Sequence, residues 1–350
     1  MSRFNIDGHK MMRHLERVAD WQAGGNIFPL YVEISPVGHC NHRCSFCAVD
    51  YLGYINRAID TDVLTTALTD MARVGVKSVM FAGEGEPLLH DDINEIIRHA
   101  HCAGLDVALT TNGSKMGDAF RCTAMEYCSW IKVSVNAGDA STYHKVHGCL
   151  AMEWGRVWNN IEAAVRHRDK HKFNTTIGVQ AVLLPENAHT LASLARKCRE
   201  VGVDYLVIKP FSQQARSLNT DYNDIVYKQC YDKYLNALNM YANSKFEIIT
   251  RSASMDSWDE RQHTYKRCLS VPHFWAYIMS DGNIYTCSAF LGDERFVVGN
   301  IRTNFFGNLW KHRKIECPAD ISECRVNCRM NKVNQFLWDA VTPIEHENFI

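Results

Sequence analysis

The chain has 350 residues, 46% hydrophobic and 22% charged, the balance of a globular enzyme with room for one α/β domain of roughly 200–250 residues and a smaller module. Its formal net charge of -1 offers no basic footprint for a phosphate backbone and argues against nucleic-acid partners. No apolar run is long enough to span a membrane, and residues 1–21 lack the apolar core of an export signal, so the sequence points to a cytoplasmic protein.

Residues 1–27 predict one helix over 10–21 and little else. From residue 30 onward, strand and helix patterns alternate. Strands are predicted at 30–35, 77–82, 106–111, 130–135, 175–183 and 205–209, each short and rich in Val, Ile, Leu and Thr, as strands buried on both faces are. Helices are predicted at 61–74, 92–103, 117–127, 154–171 and 188–201. In the last, Leu191, Leu194, Ala195 and Cys198 share one face. This alternation implies a parallel sheet whose right-handed crossovers curl it toward a full or partial barrel. The pattern breaks after Pro210. A helical connection (222–242) and a short strand (246–250) lie within 211–264, followed by an irregular cysteine-rich stretch over 265–330 and a tail, 331–350.

Fourteen cysteines are the unusual count. In a reducing compartment they point to metal or catalytic use rather than disulfides. Cys40, Cys44 and Cys47 in HCNHRCSFC follow the first strand directly. Three thiolates so close can wrap one face of a cubane cluster and leave one iron open to a small chelating molecule. Zinc is the competing reading, with His39 or His42 as fourth ligand, although zinc sites more often use paired C-x2-C units far apart.

This C-x3-C-x2-C motif, with Phe46 before its third cysteine, resembles the defining motif of the radical S-adenosylmethionine (SAM) superfamily. Further matches follow in order at successive strand ends: Gly83-Glu84-Gly85-Glu86-Pro87, with Glu84 where glycine is usual, Thr110-Thr111-Asn112-Gly113, and Ser134-Val135-Asn136, with Asn136 where aspartate is common. The resemblance implies a partial (β/α)6 TIM-like barrel over 28–210 holding a 4Fe–4S cluster on Cys40, Cys44 and Cys47. It also implies S-adenosyl-L-methionine on the open iron. The SAM ammonium would donate to Glu86 and nearby backbone carbonyls, the ribose would meet Ser134 and Asn136, the adenine would meet the loop around Phe46, and Gly85 and Asn112 would also belong to the SAM site.

Downstream, Cys268 and Cys287 stand at the two bases of a predicted hairpin turned by Asp281-Gly282, and Cys324 and Cys328 follow. Four thiolates suffice to enclose a second cluster, and zinc is again the alternative. The pattern resembles the C-terminal auxiliary-cluster extensions of the same superfamily, the SPASM domain and its shorter twitch form. That resemblance implies one auxiliary 4Fe–4S cluster on Cys268, Cys287, Cys324 and Cys328, with Cys317 as an alternative to Cys324. Cys102, Cys122, Cys128, Cys149, Cys198 and Cys230 read as core or incidental residues.

The implied activity is reductive cleavage of SAM to a 5′-deoxyadenosyl radical that abstracts hydrogen from a substrate. An external donor such as flavodoxin or ferredoxin would supply the electron. The leading expectation is two-electron oxidation of a sugar, aminocyclitol or nucleoside, with the auxiliary cluster accepting an electron. Radical modification of a peptide or protein, or a non-enzymatic iron–sulfur sensor or electron carrier, are the alternatives. Glu33, Lys209, Arg216 and Arg251 are weak candidates for substrate contacts. Gln180, Leu183 and Lys209 either line the barrel mouth or simply pack in the barrel.

Overall fold

The computed structural model describes residues 4, 6–212, 214–228, 231–325 and 327–349 and joins ten strands in one sheet. In chain order these are β1 (Tyr31–Ile34), β2 (Ser78–Phe81), β3 (Asp106–Thr111), β4 (Cys128–Ser134) and β5 (Thr176–Val182), then β6 (Tyr205–Lys209), β7 (Glu247–Thr250), β8 (Trp275–Ile278), β9 (Asn283–Tyr285) and β10 (Val297–Asn300). The spatial order is β10-β9-β8-β1-β2-β3-β4-β5-β6-β7. From β8 through β1 to β7 all neighbours are parallel, while β8, β9 and β10 form an antiparallel meander.

Strand periodicity splits the sheet into two chemistries. Val32, Ile34, Val79, Phe81, Leu109, Ile131, Val133 and Val179 face outward into one core shared with the crossover helices. The other face carries the smaller apolar groups Met80, Ala82 and Ala108 at one side and Tyr205, Val207 and Ile249 at another. The same register puts Glu33, Lys132, Gln180 and Lys209 on this inner face. A barrel interior this polar is a lined chamber rather than a packed plug.

The six predicted barrel strands are present within a residue or two, and β7 extends the parallel set beyond β6. The hairpin expected in the cysteine-rich stretch also forms. Its first strand, β8, pairs in parallel with β1, so the hairpin continues the barrel sheet. The long helix expected over 222–242 is reduced to Asp232–Leu238 and a 3-10 turn, Asn239–Tyr241. A side chain from elsewhere takes two of the backbone donors that this helix would use: Asp259 accepts from the N–H of Tyr227 (2.9 Å) and Lys228 (2.6 Å).

At the amino end, the expected helix becomes Met11–Arg13 and Leu15–Gln22. The segment before it runs under the barrel, where Phe4 and Ile6 pack on Tyr205, Val207 and Ile249. Asp7 caps the Ser252–Glu260 helix by accepting from the N–H of Ala253 (2.9 Å) and pairs with Arg251 (3.4 Å). No helix among the described residues is long and apolar enough to cross a membrane.

Glu84 explains itself in this frame. Its buried carboxylate accepts from the N–H of Ser280 (2.7 Å) in the β8–β9 turn and from Arg57 (3.4 Å), whose Nε also donates to Ser280 Oγ (2.5 Å). The side chain clasps the hairpin to the end of β2. Glu84→Ala leaves the Ser280 N–H and Arg57 without their acceptor and should cost roughly 1–3 kcal/mol, measured as a lower unfolding midpoint of the holoprotein.

Candidate functional site

The four motifs meet where β1 to β4 end, the side on which parallel barrels bind their ligands. The cysteine loop after β1 is pinned by backbone bonds to its surroundings. Arg43 and Ser45 donate to the carbonyls of His147 (3.1 Å) and Val146 (3.0 Å), and Glu86 N–H donates to His39 O (2.9 Å). Two glycines permit this closeness. A Cβ on Gly85 would lie 2.4 Å from the carbonyl oxygens of His39 and Val37, and one on Gly148, at φ +55°, would lie 2.1 Å from Arg43 O. Gly85 therefore acts by letting the β2 loop touch the cysteine loop.

Val146, His147 and Gly148 end a helix, Ala140–His147, that the sequence reading passed over. Its signals are present in retrospect: Asp139 caps it by accepting from Thr142 N–H (2.8 Å), and Gly148 closes it in the left-handed conformation.

The three thiols lie within electrostatic range of one another, and each has a donor or a ring nitrogen beside it. His42 N–H donates to Cys40 Sγ (3.4 Å), and the Val49 N–H and Tyr54 hydroxyl serve Cys47. His147 Nδ1 lies 3.5 Å from Cys44 Sγ. Burial, reinforced by the Glu86 carboxylate, pushes the Cys40 thiol up to about 11, and burial likewise raises Cys44 and Cys47. Three shielded thiols that resist losing protons to water but have sulfur-directed donors fit a site where metal replaces the protons.

His147 is oriented by Asn136, whose N–H donates to its Nε2 (3.2 Å). Nε2 therefore carries the lone pair and Nδ1 the proton, which faces Cys44. The ring is fully buried and stacks on Tyr143 at 4.0 Å. His42, 1% exposed, turns its edge to both rings, and its two nitrogens have no hydrogen-bond partner among the described residues. His42, Cys44 and His147 bring ligand-type atoms within 4.8 Å of one another.

The cosubstrate motifs behave differently from one another. Glu86 is buried, and its carboxylate accepts from Thr111 Oγ1 (2.5 Å), Asn112 N–H (2.7 Å) and Leu88 N–H (3.2 Å). Desolvation outweighs these bonds and brings it up to about 7. Asn112 donates to Asn41 Oδ1 (2.8 Å) and accepts from Ser114 N–H (3.0 Å), tying the β3 loop to the cysteine loop. Ser134 keeps its place on the inner face at the end of β4, level with Gln180. Asn136 does not reach the pocket as expected. It is fully buried, accepting from Val182 N–H (2.6 Å) and meeting His147 Nε2 (3.1 Å) through its amide nitrogen, so it builds the wall behind the site. Phe46 sits edge-on to His147 at 5.7 Å.

Among the weaker candidates, Glu33 is paired with Arg329, and Arg251 with Asp7. Arg216 lies by Gly292. Leu183 is buried in the outer core and lines no mouth.

Cys268, Cys287, Cys317, Cys324 and Cys328 converge on a second cavity. Ala289 N–H donates to Cys287 Sγ (3.4 Å), Met330 N–H to Cys328 Sγ (3.4 Å), and Asn334 Nδ2 to Cys268 Sγ (3.3 Å). Arg325 adds a bond to Cys328, and Cys317 donates to Cys268, favouring the Cys268 thiolate. Five thiols thus face a centre that needs four, and Cys317 shares the cavity with Cys324 instead of standing apart. Asn334 was not foreseen. It comes from the Asn331–Val341 helix, in the stretch read as a tail, whose Leu337 is fully buried. Cys128 and Cys198 are buried in the core as expected, and Cys102 and Cys122 are exposed. Cys149 lies within electrostatic range of Cys44, nearer the first site than expected. Cys230 lies outside the described residues.

A parallel barrel sheet with three clustered thiols at one strand end and a second thiol-lined cavity beside it defines an iron–sulfur enzyme architecture. Two family models match in tandem: the Radical SAM superfamily over residues 34–198 and an iron–sulfur cluster-binding domain, SPASM, over 268–329. The chain belongs to the radical SAM superfamily, is an enzyme, and binds a 4Fe–4S cluster and S-adenosylmethionine, with auxiliary iron–sulfur binding in its C-terminal domain. Among curated proteins it is similar to the tungsten-containing aldehyde ferredoxin oxidoreductase cofactor-modifying protein of Pyrococcus furiosus, 25% identical over 80% of this chain and 77% of that one. It is also similar to the GTP 3′,8-cyclase of Aquifex aeolicus, 27% identical over 82% of this chain and 90% of that one. Among solved structures, SuiB of Streptococcus suis shares the fold with a TM-score of 0.66 at 19% identity, over 92% of this chain and 76% of that one.

Two outcomes are expected here. His147→Phe, which removes the donor facing Cys44, should lower the midpoint potential of the first cluster by on the order of tens of millivolts in an EPR-monitored titration, with His147→Gln recovering part of the loss. Of Cys317→Ser and Cys324→Ser, one should leave iron near the loaded value of about eight per chain and the other should lower it by about four, read by iron and sulfide analysis.

Proposed function

We propose that the enzyme oxidises a small polar substrate, a sugar, aminocyclitol or nucleoside, by two electrons inside the barrel. A one-electron donor such as flavodoxin or ferredoxin would act from outside. When bound, the cofactors supply a 5′-deoxyadenosyl radical able to take hydrogen from an unactivated C–H, and a second centre able to accept an electron. The chain's residues hold and shield that chemistry. Cys40, Cys44 and Cys47 would be the first ligand set, and Cys268, Cys287 and Cys328, with Cys324 or Cys317, the second. Glu86 and Asn112 hold the β2 and β3 loops against the cysteine loop, and Ser134 and Gln180 offer polar side chains at the ends of β4 and β5.

The observation that carries this reading is the Glu33–Arg329 pair. Glu33 lies on the chamber face of β1, and Arg329 directly follows Cys328. The second thiol site therefore borders the space where a substrate would sit, which suits an electron acceptor. The similarity to an enzyme named for GTP supports a small, polar substrate over a purely apolar one.

The test is anaerobic reconstitution with iron and sulfide, then SAM and dithionite, with mass spectrometry for 5′-deoxyadenosine. Product should form with the native chain and not with Cys44→Ala. Deuterium should pass from a labelled sugar, aminocyclitol or nucleoside into 5′-deoxyadenosine. Transfer seen only with a peptide would overturn the substrate assignment, and no cleavage with any of them would overturn the activity.

A further inference from the structure

The barrel has a second mouth. A cavity of about 680 Å³ lies where the parallel strands begin, lined by Tyr31, Ser78, Trp130, Thr176, Tyr205 and Trp275, each within two residues of the amino end of its strand. It therefore opens at the end opposite the cysteine loops, which follow the carboxyl ends. A TIM-like barrel ordinarily fills its interior with layers of bulky branched side chains. Here the first layer includes Ser78 and Thr176, and the next includes Gly178. A Cβ on Gly178 would fall 2.1 Å from the Tyr205 ring, so the ring lies against the β5 backbone where a side chain would otherwise stand. Phe4 and Ile6 line the cavity from the amino-terminal segment, and the Phe4 ring packs 4.9 Å from that of Tyr205.

The lining combines aromatic walls with a surplus of positive charge. Lys10, Lys77 and Lys132 border the cavity, and Asp106 is the only acid among the described residues that do. Lys10 and Lys77 are exposed at the rim, whereas Lys132 is half-buried on the inner face of β4. Among the described residues none of these lysines enters an ion pair or a side-chain hydrogen bond. The Lys132 ammonium instead stands over the Trp130 ring, 5.2 Å from its centroid, which is a weak substitute for a counter-ion. Aromatic walls offer water few hydrogen bonds, while a space of several hundred cubic ångströms with a few placed polar groups is what small ligands occupy.

We propose that this amino-end mouth is a second small-molecule site, separate from the SAM site, that takes a ring-bearing acid. The ring lies against Trp130 and Tyr31, and the acidic group, a carboxylate or a phosphate, meets the Lys132 ammonium. Lys10 and Lys77 at the rim favour the approach of an anion. Ser134 stands two residues beyond Lys132 on the same face of β4, so the occupant forms the floor of the chamber above. The assignment stands on the cavity and its charge and does not depend on the radical reading.

The experiment is calorimetric titration of the reconstituted holoenzyme, saturated with SAM so that the SAM site is already filled. Indole-3-acetate and adenosine 5′-monophosphate serve as the acids, and indole-3-acetamide and adenosine as their neutral counterparts. At least one acid should bind, its neutral counterpart about tenfold or more weaker. Lys132→Met should weaken the acid by about tenfold or more, the loss of one charged contact, and Trp130→Ala should weaken it as well. Ser78→Trp, which fills the mouth from the first layer, should abolish binding. Iron content and the EPR change on adding SAM should remain as in the native chain in all three variants, which separates a lost site from a misfolded barrel. Tighter binding of the nucleotide assigns a phosphate, and tighter binding of the indole acid a carboxylate. Binding of neither acid, equal binding of acid and neutral counterpart, or native affinity in Lys132→Met overturns the proposal. Native affinity in Ser78→Trp also overturns it, because the ligand would then lie nearer the cysteine loops.

Discussion

The molecule depends on the two-sided pairing of β1. On one edge Tyr31–Ile34 pairs with β2 and opens the barrel, and on the other it pairs in the same direction with β8 of the cysteine-rich region. Parallel pairing satisfies the β1 backbone on both edges, so neither half presents an open strand edge at this seam. Because the first three cysteines follow β1 and Cys268 and Cys287 flank β8 and β9, one strand fixes the separation of both thiol sites. Glu84 and Arg57 reinforce the seam at the β8–β9 turn, and Arg329 with Glu33 does so inside the chamber.

Around several of the sulfurs the chain repeats one device. A backbone N–H two residues past the cysteine turns back to its sulfur at Cys40, Cys287 and Cys328. Side chains supplement it where the loop needs orientation: His147 at Cys44, Tyr54 at Cys47, Asn334 at Cys268. Donors to sulfur stabilise the electron-rich thiolate and tune the potential of whatever metal it holds. Several of these donors are themselves held by a further bond, as His147 is by Asn136 and Asn334 by the N–H groups of Leu269 and Ser270 that it accepts. The loops around the sites are thus stiff as well as buried.

Much of the barrel was legible from the chain alone. Short strands buried on both faces read as continuous apolar runs, and β6 was predicted over its exact span because its pattern depends on local residues only. The motif cysteines were equally legible, since their spacing within one loop is covalent geometry. Glu84 stood out as a departure from the usual glycine, but its reason lies nearly two hundred residues downstream, at Ser280. Asn136 was read as a ribose contact from its place in the motif, and the structure engages it elsewhere because its partners, Val182 and His147, belong to other elements. The 222–242 helix failed for the same kind of reason: Asp259, distant in sequence, takes the backbone donors of Tyr227 and Lys228.

By itself the sequence determined the positions of the barrel strands along the chain, the position of the first thiol triad and the existence of a second cysteine set. These follow from periodicity and from spacing along one covalent chain, which need no partner. Only the tertiary structure decided that β8 completes the β1 edge, that Cys317 joins four other thiols, and that the Ala140–His147 helix supports Cys44. Each of these is a meeting of segments far apart in sequence. Hydrogen bonds and charges act through space over a few ångströms, and only folding decides which groups come that close.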